Sequence, residues 1–140
     1  MQREILILNG PNLNLLGERQ PEIYGTKDIN GLIKELQKES KCKIDYFQTN
    51  QEGDLIDKLH AYKNAAGIIL NAGGLTHTSV AIADAVAAIK APVVEVHISN
   101  IYARESFRAK SFISLYAKGV ISGFGLYGYR LALEFLLSEQ

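Results

Sequence analysis

GIILNAGGLTHTSVAIADAVAAIKAPVVEVH, residues 67–97, reads as a strand, a helix and a second strand in succession. Residues 67–70 are apolar without alternation, which suits a central strand covered on both faces. A helix begins near residues 76–79 and runs through SVAIADAVAAIK until Pro92, whose ring and missing N–H stop it. Residues 93–97, VVEVH, form the second strand. A helical crossover between two strands makes them parallel, and such crossovers are right-handed.

The same alternation extends in both directions. Upstream, residues 5–8 read as a first strand and residues 43–48 as a second. Between them Asp28 stands as the N-cap of a helix whose apolar positions Ile29, Leu32, Ile33 and Leu36 recur at helical spacing. Leu55, Ile56 and Leu59 form the buried stripe of another helix, beginning near Glu52. Downstream, residues 101–116 alternate charge with aromatics, as short helical pieces do; residues 119–123 then form a fifth strand and residues 129–137 a last helix. Five parallel strands with helices on both faces make an α/β, flavodoxin-like three-layer sandwich of strand order 2-1-3-4-5, in a single domain over residues 1–140.

Fifteen basic and fifteen acidic side chains cancel, so no overall field draws the protein to nucleic acid or to an anionic membrane; a small molecule is the expected partner. The lone cysteine, Cys42, forms no internal disulfide and reads as packing or a free thiol, and three histidines without a Cys-x-x-Cys give no closed zinc site. MQREILIL lacks a long apolar core or a cleavage pattern, and no apolar run approaches the roughly 18 residues of a membrane span, so the expected location is the cytoplasm. Gly123, Gly125 and Gly128 spell G-x-G-x-x-G, but no further strand and no acidic residue about 20 positions on complete a dinucleotide unit. Those glycines read as a tight strand-to-helix turn, and no cofactor is expected.

In an open parallel sheet, ligands bind beyond the carboxyl ends of the strands. The third strand delivers Asn71 and AGGLTHTS there, and the fourth delivers Glu95, His97, Ser99 and Asn100. Glu95 and His97, two apart in a strand, project to one face, so the carboxylate can accept a bond from the imidazole and hold one tautomer. The pair reads as a catalytic acid with its orienting carboxylate, or as a satisfied polar residue in a core strand. His77, among Thr76, Thr78 and Ser79, suits either an oxygen-bearing ligand or helix capping. Asp84 stands with Val80, Ala81, Ala87 and Ala88, on a face separate from the Ile82, Val86 and Ile89 stripe. That face suits another subunit, with Asp84 pairing across it or reaching a neighbouring site. Arg104 and Arg108, one helical turn apart, fit a carboxylate bidentately or are solvated surface arginines.

The first strand leads into NGPNLNLLGERQPEIYG, residues 9–25, roughly three times the usual 2–6-residue connection. Asn9, Asn12, Asn14, Arg19 and Tyr24, with Gly10–Pro11 at the root and Gly17 and Gly25 as flex points, suit a mobile lid over residues 10–25 that orders with its ligand. A tyrosine's ordinary pKa of about 10 is too high for a base at neutral pH unless a cation stabilises the phenolate, and Arg19 shares the lid. A phenolate base, a histidine acid and amide donors for an oxyanion fit removal of a proton alpha to a carbonyl, then loss of a hydroxyl. The rival from another class is a non-catalytic flavodoxin-like small-molecule binding module. A receiver needs an acidic cluster where this chain has Asn9 and Asn12, and a flavin carrier needs a loop richer in Ser and Thr. A different lyase on the same scaffold is a further alternative.

NGPNLNLLGERQPEIYG, NAGGLTHTSVAIADA and PVVEVHISNIYARESFR, joined by GVISGFGLYGYRLAL, closely resemble type II 3-dehydroquinate dehydratase across nearly the whole chain. The resemblance implies syn elimination of water from 3-dehydroquinate to 3-dehydroshikimate through an enolate, without a cofactor or a lysine Schiff base, in the shikimate pathway or in quinate catabolism. It implies Tyr24 as the base at C2, Arg19 as its activator on the closing lid, and Asn12 as holder of the water that supports the enolate oxygen. It implies His97, oriented by Glu95, as the acid that protonates the departing C1 hydroxyl. Asn71, His77, the backbone at Ile98 with Ser99, and Arg108 are implied to bind the substrate's hydroxyls and carboxylate. Asp84 is implied to reach a neighbouring site in a homododecamer built as a tetramer of trimers. Gly74 and Leu75 stand where many members carry alanine and an aromatic residue, and Lys110 where a histidine is common. Those departures bear on the pocket wall, not on proton transfer.

Overall fold

The computed structural model describes residues 2–16 and 28–138. Strands β1 (Glu4–Asn9), β2 (Lys43–Gln48), β3 (Gly67–Asn71), β4 (Val93–His97) and β5 (Gly119–Ser122) form one sheet of order β2-β1-β3-β4-β5. Every pairing is parallel, as the alternating elements predict. Helices α1 (Ile29–Glu39), α2 (Glu52–Ala61), α3 (Val80–Ala88) and α4 (Tyr127–Ser138) cover its faces.

β1 shows how the layers form. Its alternate side chains serve opposite cores: Ile5 and Ile7 pack with Ile33 and Leu36 of α1 and Leu133 of α4, whereas Leu6 and Leu8 pack with Leu55 and Leu59 of α2 and Ile82 and Val86 of α3. Burying each such side chain fully stabilises the fold by about 1.5–3 kcal/mol. β3 and β4 are buried along their whole length, while the edge strands β2 and β5 are partly exposed. Cys42 is one more buried packing residue of the first core. Among the described residues no helix is long and apolar enough to cross a membrane.

Local chemistry sets the boundaries. Asp28 caps α1 as expected, its carboxylate accepting the Asn30 N–H at 3.0 Å. α3 is shorter than the sequence pattern. It begins at Val80, because Ser79 Oγ accepts the Ile82 N–H at 3.0 Å and caps it there, and residues before it form a 3-10 turn, Gly73–His77. It ends at Ala88; Ile89 is extended, and the Lys90 and Ala91 N–H groups turn to the Lys63 carbonyl ahead of Pro92. β5 stops at Ser122 because Gly123, at φ 97°, turns the chain away. Residues 101–116 hold two 3-10 turns, Ile101–Ala103 and Ser106–Ala109, the short pieces expected there.

The ends of β1 and β3 meet closely. The Gly10 N–H donates to the Asn71 carbonyl at 2.7 Å, and a Cβ on Gly10 would stand 2.6 Å from the Ala72 carbonyl oxygen. Only glycine lets the two strand exits lie this near, and it is there that the polar side chains collect.

Candidate active site

Parallel strands end on the same side, so Asn9, Asn71 and His97, the last residues of β1, β3 and β4, emerge together, with Asn9 directly in register with Asn71. Behind His97, Glu95 is fully buried, and a buried charge is tolerable only when partnered. Its Oε2 accepts from His97 Nε2 at 2.5 Å, and its Oε1 accepts the Ser111 and Ser114 hydroxyls at 3.0 and 2.9 Å. Burial alone pushes this carboxyl up, but the bonds from His97, Ser114 and Ser111 outweigh burial and hold its pKa below the usual 4.5. An ionised acceptor on Nε2 fixes the ring proton at that nitrogen. Nδ1 has no partner among the described residues, so it is the atom His97 can offer to a ligand.

His77 closes the 3-10 turn after β3 and does not open α3. Its ring stacks on His97, centroids 6.1 Å apart, and its Nδ1–H donates to the Lys110 carbonyl at 2.7 Å. The contact comes from the Lys110 backbone, so the side chain at that position does not govern it. Ile98 and Ser99 follow β4. Their carbonyls accept from the Gly125 N–H and the Ser122 hydroxyl, while their N–H groups have no partner among the described residues. Asn71 is buried, donating from Nδ2 to the Tyr129 hydroxyl at 3.0 Å and accepting the Gly73 N–H on Oδ1 at 3.1 Å.

Asn12, Leu16, Gly73, Arg104 and Arg108 share the wall of a cavity of about 140 Å3. Both arginines lie beside the Glu105 carboxylate: Arg108 Nε donates to it at 2.9 Å and Arg104 Nε lies 3.9 Å away, while Arg104 also donates to Ser99 Oγ at 3.0 Å. Asn12 adopts the left-handed conformation, at φ 71°, and its N–H donates to Asn50 Oδ1 at 3.0 Å. Gln48, ending β2, donates to the Gly10 carbonyl at 3.1 Å, so β2 ties down the root of the long loop.

The structure thus brings Asn12, Asn71, His77, Glu95, His97, Ile98, Ser99 and Arg108 to one end of the sheet. Asp84 is elsewhere, exposed on α3 beside Val80, Ala81, Ala87 and Ala88, while Ile82 and Val86 pack inward. Arg19 and Tyr24, with most of the expected lid, lie outside the described residues. Sequence reasoning missed Ser111 and Ser114, which no spacing connects to Glu95, and Tyr129, which reads as one more apolar helix position.

Residues 3–137 match the family model described as Dehydroquinase class II. The 3-dehydroquinate dehydratase of Halothermothrix orenii is 51% identical over 138 residues, covering 96% of this chain and 93% of that protein. That of Exiguobacterium sp. is 54% identical over 137 residues, covering 96% and 94%. The crystal structure of a type II dehydroquinase from Propionibacterium acnes matches with a TM-score of 0.92 at 41% identity, over 99% of this chain and 98% of that one. With the family model spanning nearly every residue and both sequence and fold agreeing with it, the chain belongs to the class II dehydroquinase family.

Proposed function

We propose that the chain is a 3-dehydroquinate dehydratase, a hydro-lyase that removes water from 3-dehydroquinate to give 3-dehydroshikimate in the shikimate pathway. The observation that carries the reading is His97 at the mouth of the sheet, its Nε2 on a buried, ionised Glu95 and its Nδ1 open. A proton on Nδ1 makes the ring a donor to a leaving hydroxyl, and the carboxylate behind it stabilises the charge this creates. On this reading Tyr24, activated by Arg19, takes the C2 proton, and the C–H electrons flow into the carbonyl to form an enolate. Asn12 holds the water that faces the enolate oxygen. The carbonyl then re-forms, the C1–O bond breaks, and the oxygen leaves as water with the proton from His97.

The open N–H groups of Ile98 and Ser99 and the remaining Asn71 N–H suit the substrate's carboxylate, and His77 and Arg108 suit its hydroxyls. Leu16 and Asp28, on either side of residues 17–27, line one pocket with Tyr46 and Gln48, and Leu16 also lines the cavity of Asn12 and Arg108. Those anchor points support a lid that carries Tyr24 and Arg19 to the rim of the site. The reading places the enzyme in the cytoplasm. Purified protein mixed with 3-dehydroquinate should develop the ultraviolet absorbance of a conjugated enone; folded protein that gives no such signal would overturn the assignment.

The reading extends to a homododecamer, a tetramer of trimers, in which Asp84 reaches a neighbour's site. The exposed small-residue face around Asp84 supports it, since such a face allows close approach of a second chain. Asp84→Ala should raise KM or shift the mass measured by light scattering. Wild-type values in both would return Asp84 to a surface role.

A further inference from the structure

Tyr129, in the first turn of α4, is fully buried, and its hydroxyl lies between two asparagines at the site end of the sheet. It donates to Asn9 Oδ1 at 2.8 Å and accepts from Asn71 Nδ2 at 3.0 Å. Beyond them, Asn9 Nδ2 donates to the Tyr46 hydroxyl at 3.3 Å and Asn71 Oδ1 accepts the Gly73 N–H at 3.1 Å. A phenol has one proton and so donates once. Burial pushes the Tyr129 pKa well above its ordinary value, so that proton stays on the oxygen at neutral pH. The Gly73 N–H can only donate, so Asn71 turns its oxygen to Gly73 and its nitrogen to Tyr129. Tyr129, accepting there, gives its one proton to Asn9, and the whole chain runs one way. One Asn71 N–H remains outside this chain.

From this directed network we infer that Tyr129 is a positioning residue: it sets the Asn71 amide so that the spare N–H faces the substrate. This rests on the dehydratase reading for the identity of the substrate, though the amide's orientation does not depend on it. Packing alone would be served by phenylalanine, since the ring sits among the apolar residues of the core that includes Ile5 and Val96. The hydroxyl is what the two asparagines require. Without it a buried Asn71 N–H loses its acceptor, Asn9 loses its donor, and the Gly73 N–H alone opposes a turn of the Asn71 amide.

Tyr129→Phe tests this. KM for 3-dehydroquinate should rise roughly tenfold, the effect of one misdirected hydrogen bond, with kcat changed by less than about threefold. The pH profile should keep its shape, because neither proton-transfer group is touched. Combined with Asn71→Ala, the variant should raise KM no further than Asn71→Ala alone, as expected of residues acting through one contact. A crystal structure of Tyr129→Phe should show the Asn71 amide turned away from the Gly73 N–H. Asn9→Leu, close in volume, should raise KM in the same way, because it frees the Tyr129 proton to point at Asn71; it carries the test if Tyr129→Phe does not fold. Wild-type KM with an unmoved Asn71, or effects of Tyr129→Phe and Asn71→Ala that multiply, would overturn the inference. If the wild-type protein proves inactive on 3-dehydroquinate, the dehydratase reading falls, and the Asn71 amide in the variant crystal decides the inference by itself.

Discussion

Tyr24→Phe is expected to lower kcat for 3-dehydroquinate by about a hundredfold to ten-thousandfold, the range supplied by a positioned base, while KM stays near the wild-type value. Phenylalanine keeps the ring and removes only the oxygen proposed to receive the C2 proton. The residues proposed to hold the substrate, Asn71, His77, Ile98, Ser99 and Arg108, belong to β3, β4 and the turns that follow them, so binding does not depend on that oxygen. With Arg19 proposed to favour the phenolate, the wild-type rate should rise with pH as the phenolate population grows, in a range below the ordinary phenol value near 10, and the variant should lose that limb. Steady-state kinetics across pH, with product affinity by calorimetry, separate the two effects. A near-normal kcat would place the base on another residue.

How much of this could be read in advance depended on the range of each signal. β3 was legible because its apolar run is unbroken up to Asn71, and β4 because three valines follow the helix-stopping Pro92, with Glu95 and His97 set among them. The bond between Glu95 and His97 was legible because strand geometry puts i and i+2 on one face. Asp28 was legible because a cap acts on an amide two residues away. The start of α3 was legible to within a few residues, at the Ser79 cap; its end at Ala88, short of Pro92, was not, since Lys90 and Ala91 turn to the Lys63 carbonyl from another part of the chain. Ser111 and Ser114 reach Glu95 only because the turns after β4 fold back over it, and Tyr129 meets Asn9 only because the last helix, packed on β3, β4 and β5, brings its first turn beside the end of the first strand. Contacts of that kind follow from the sheet order and leave no mark in local spacing. The sequence offers Arg108 as a ligand for the substrate or as a solvated arginine; its pairing with Glu105, from the same turn, required the folded backbone. Substrate entering this pocket has to compete with that pair, whose exposed position makes it weak.

His97→Ala should change both the rate and the sign of a pH dependence. Loss of the proposed acid predicts a fall in kcat of about a hundredfold to ten-thousandfold. The stability effect follows from Glu95, which the substitution leaves fully buried without its main partner. In the wild-type protein the Glu95 carboxyl titrates below 4.5, so the folded state binds this proton less readily than the unfolded one. Its contribution to stability is therefore complete above that value and is lost as pH falls through the lowered one. With the imidazole gone, burial becomes the dominant influence, and the Ser111 and Ser114 hydroxyls oppose it alone. The carboxyl should then titrate above its ordinary value, and its charge becomes a cost as pH rises. Breaking a buried pair in this way costs about 3–5 kcal/mol at neutral pH. Thermal unfolding between pH 4 and 7 should therefore show wild-type stability level or rising with pH on this account and the variant's stability falling. Adding Glu95→Gln to His97→Ala removes the charge, and it should flatten the pH dependence without restoring activity. A His97→Ala protein whose stability still rose with pH would mean that the two serines suffice to hold the carboxylate, and the role of Glu95 would have to be sought in something other than its bond to His97.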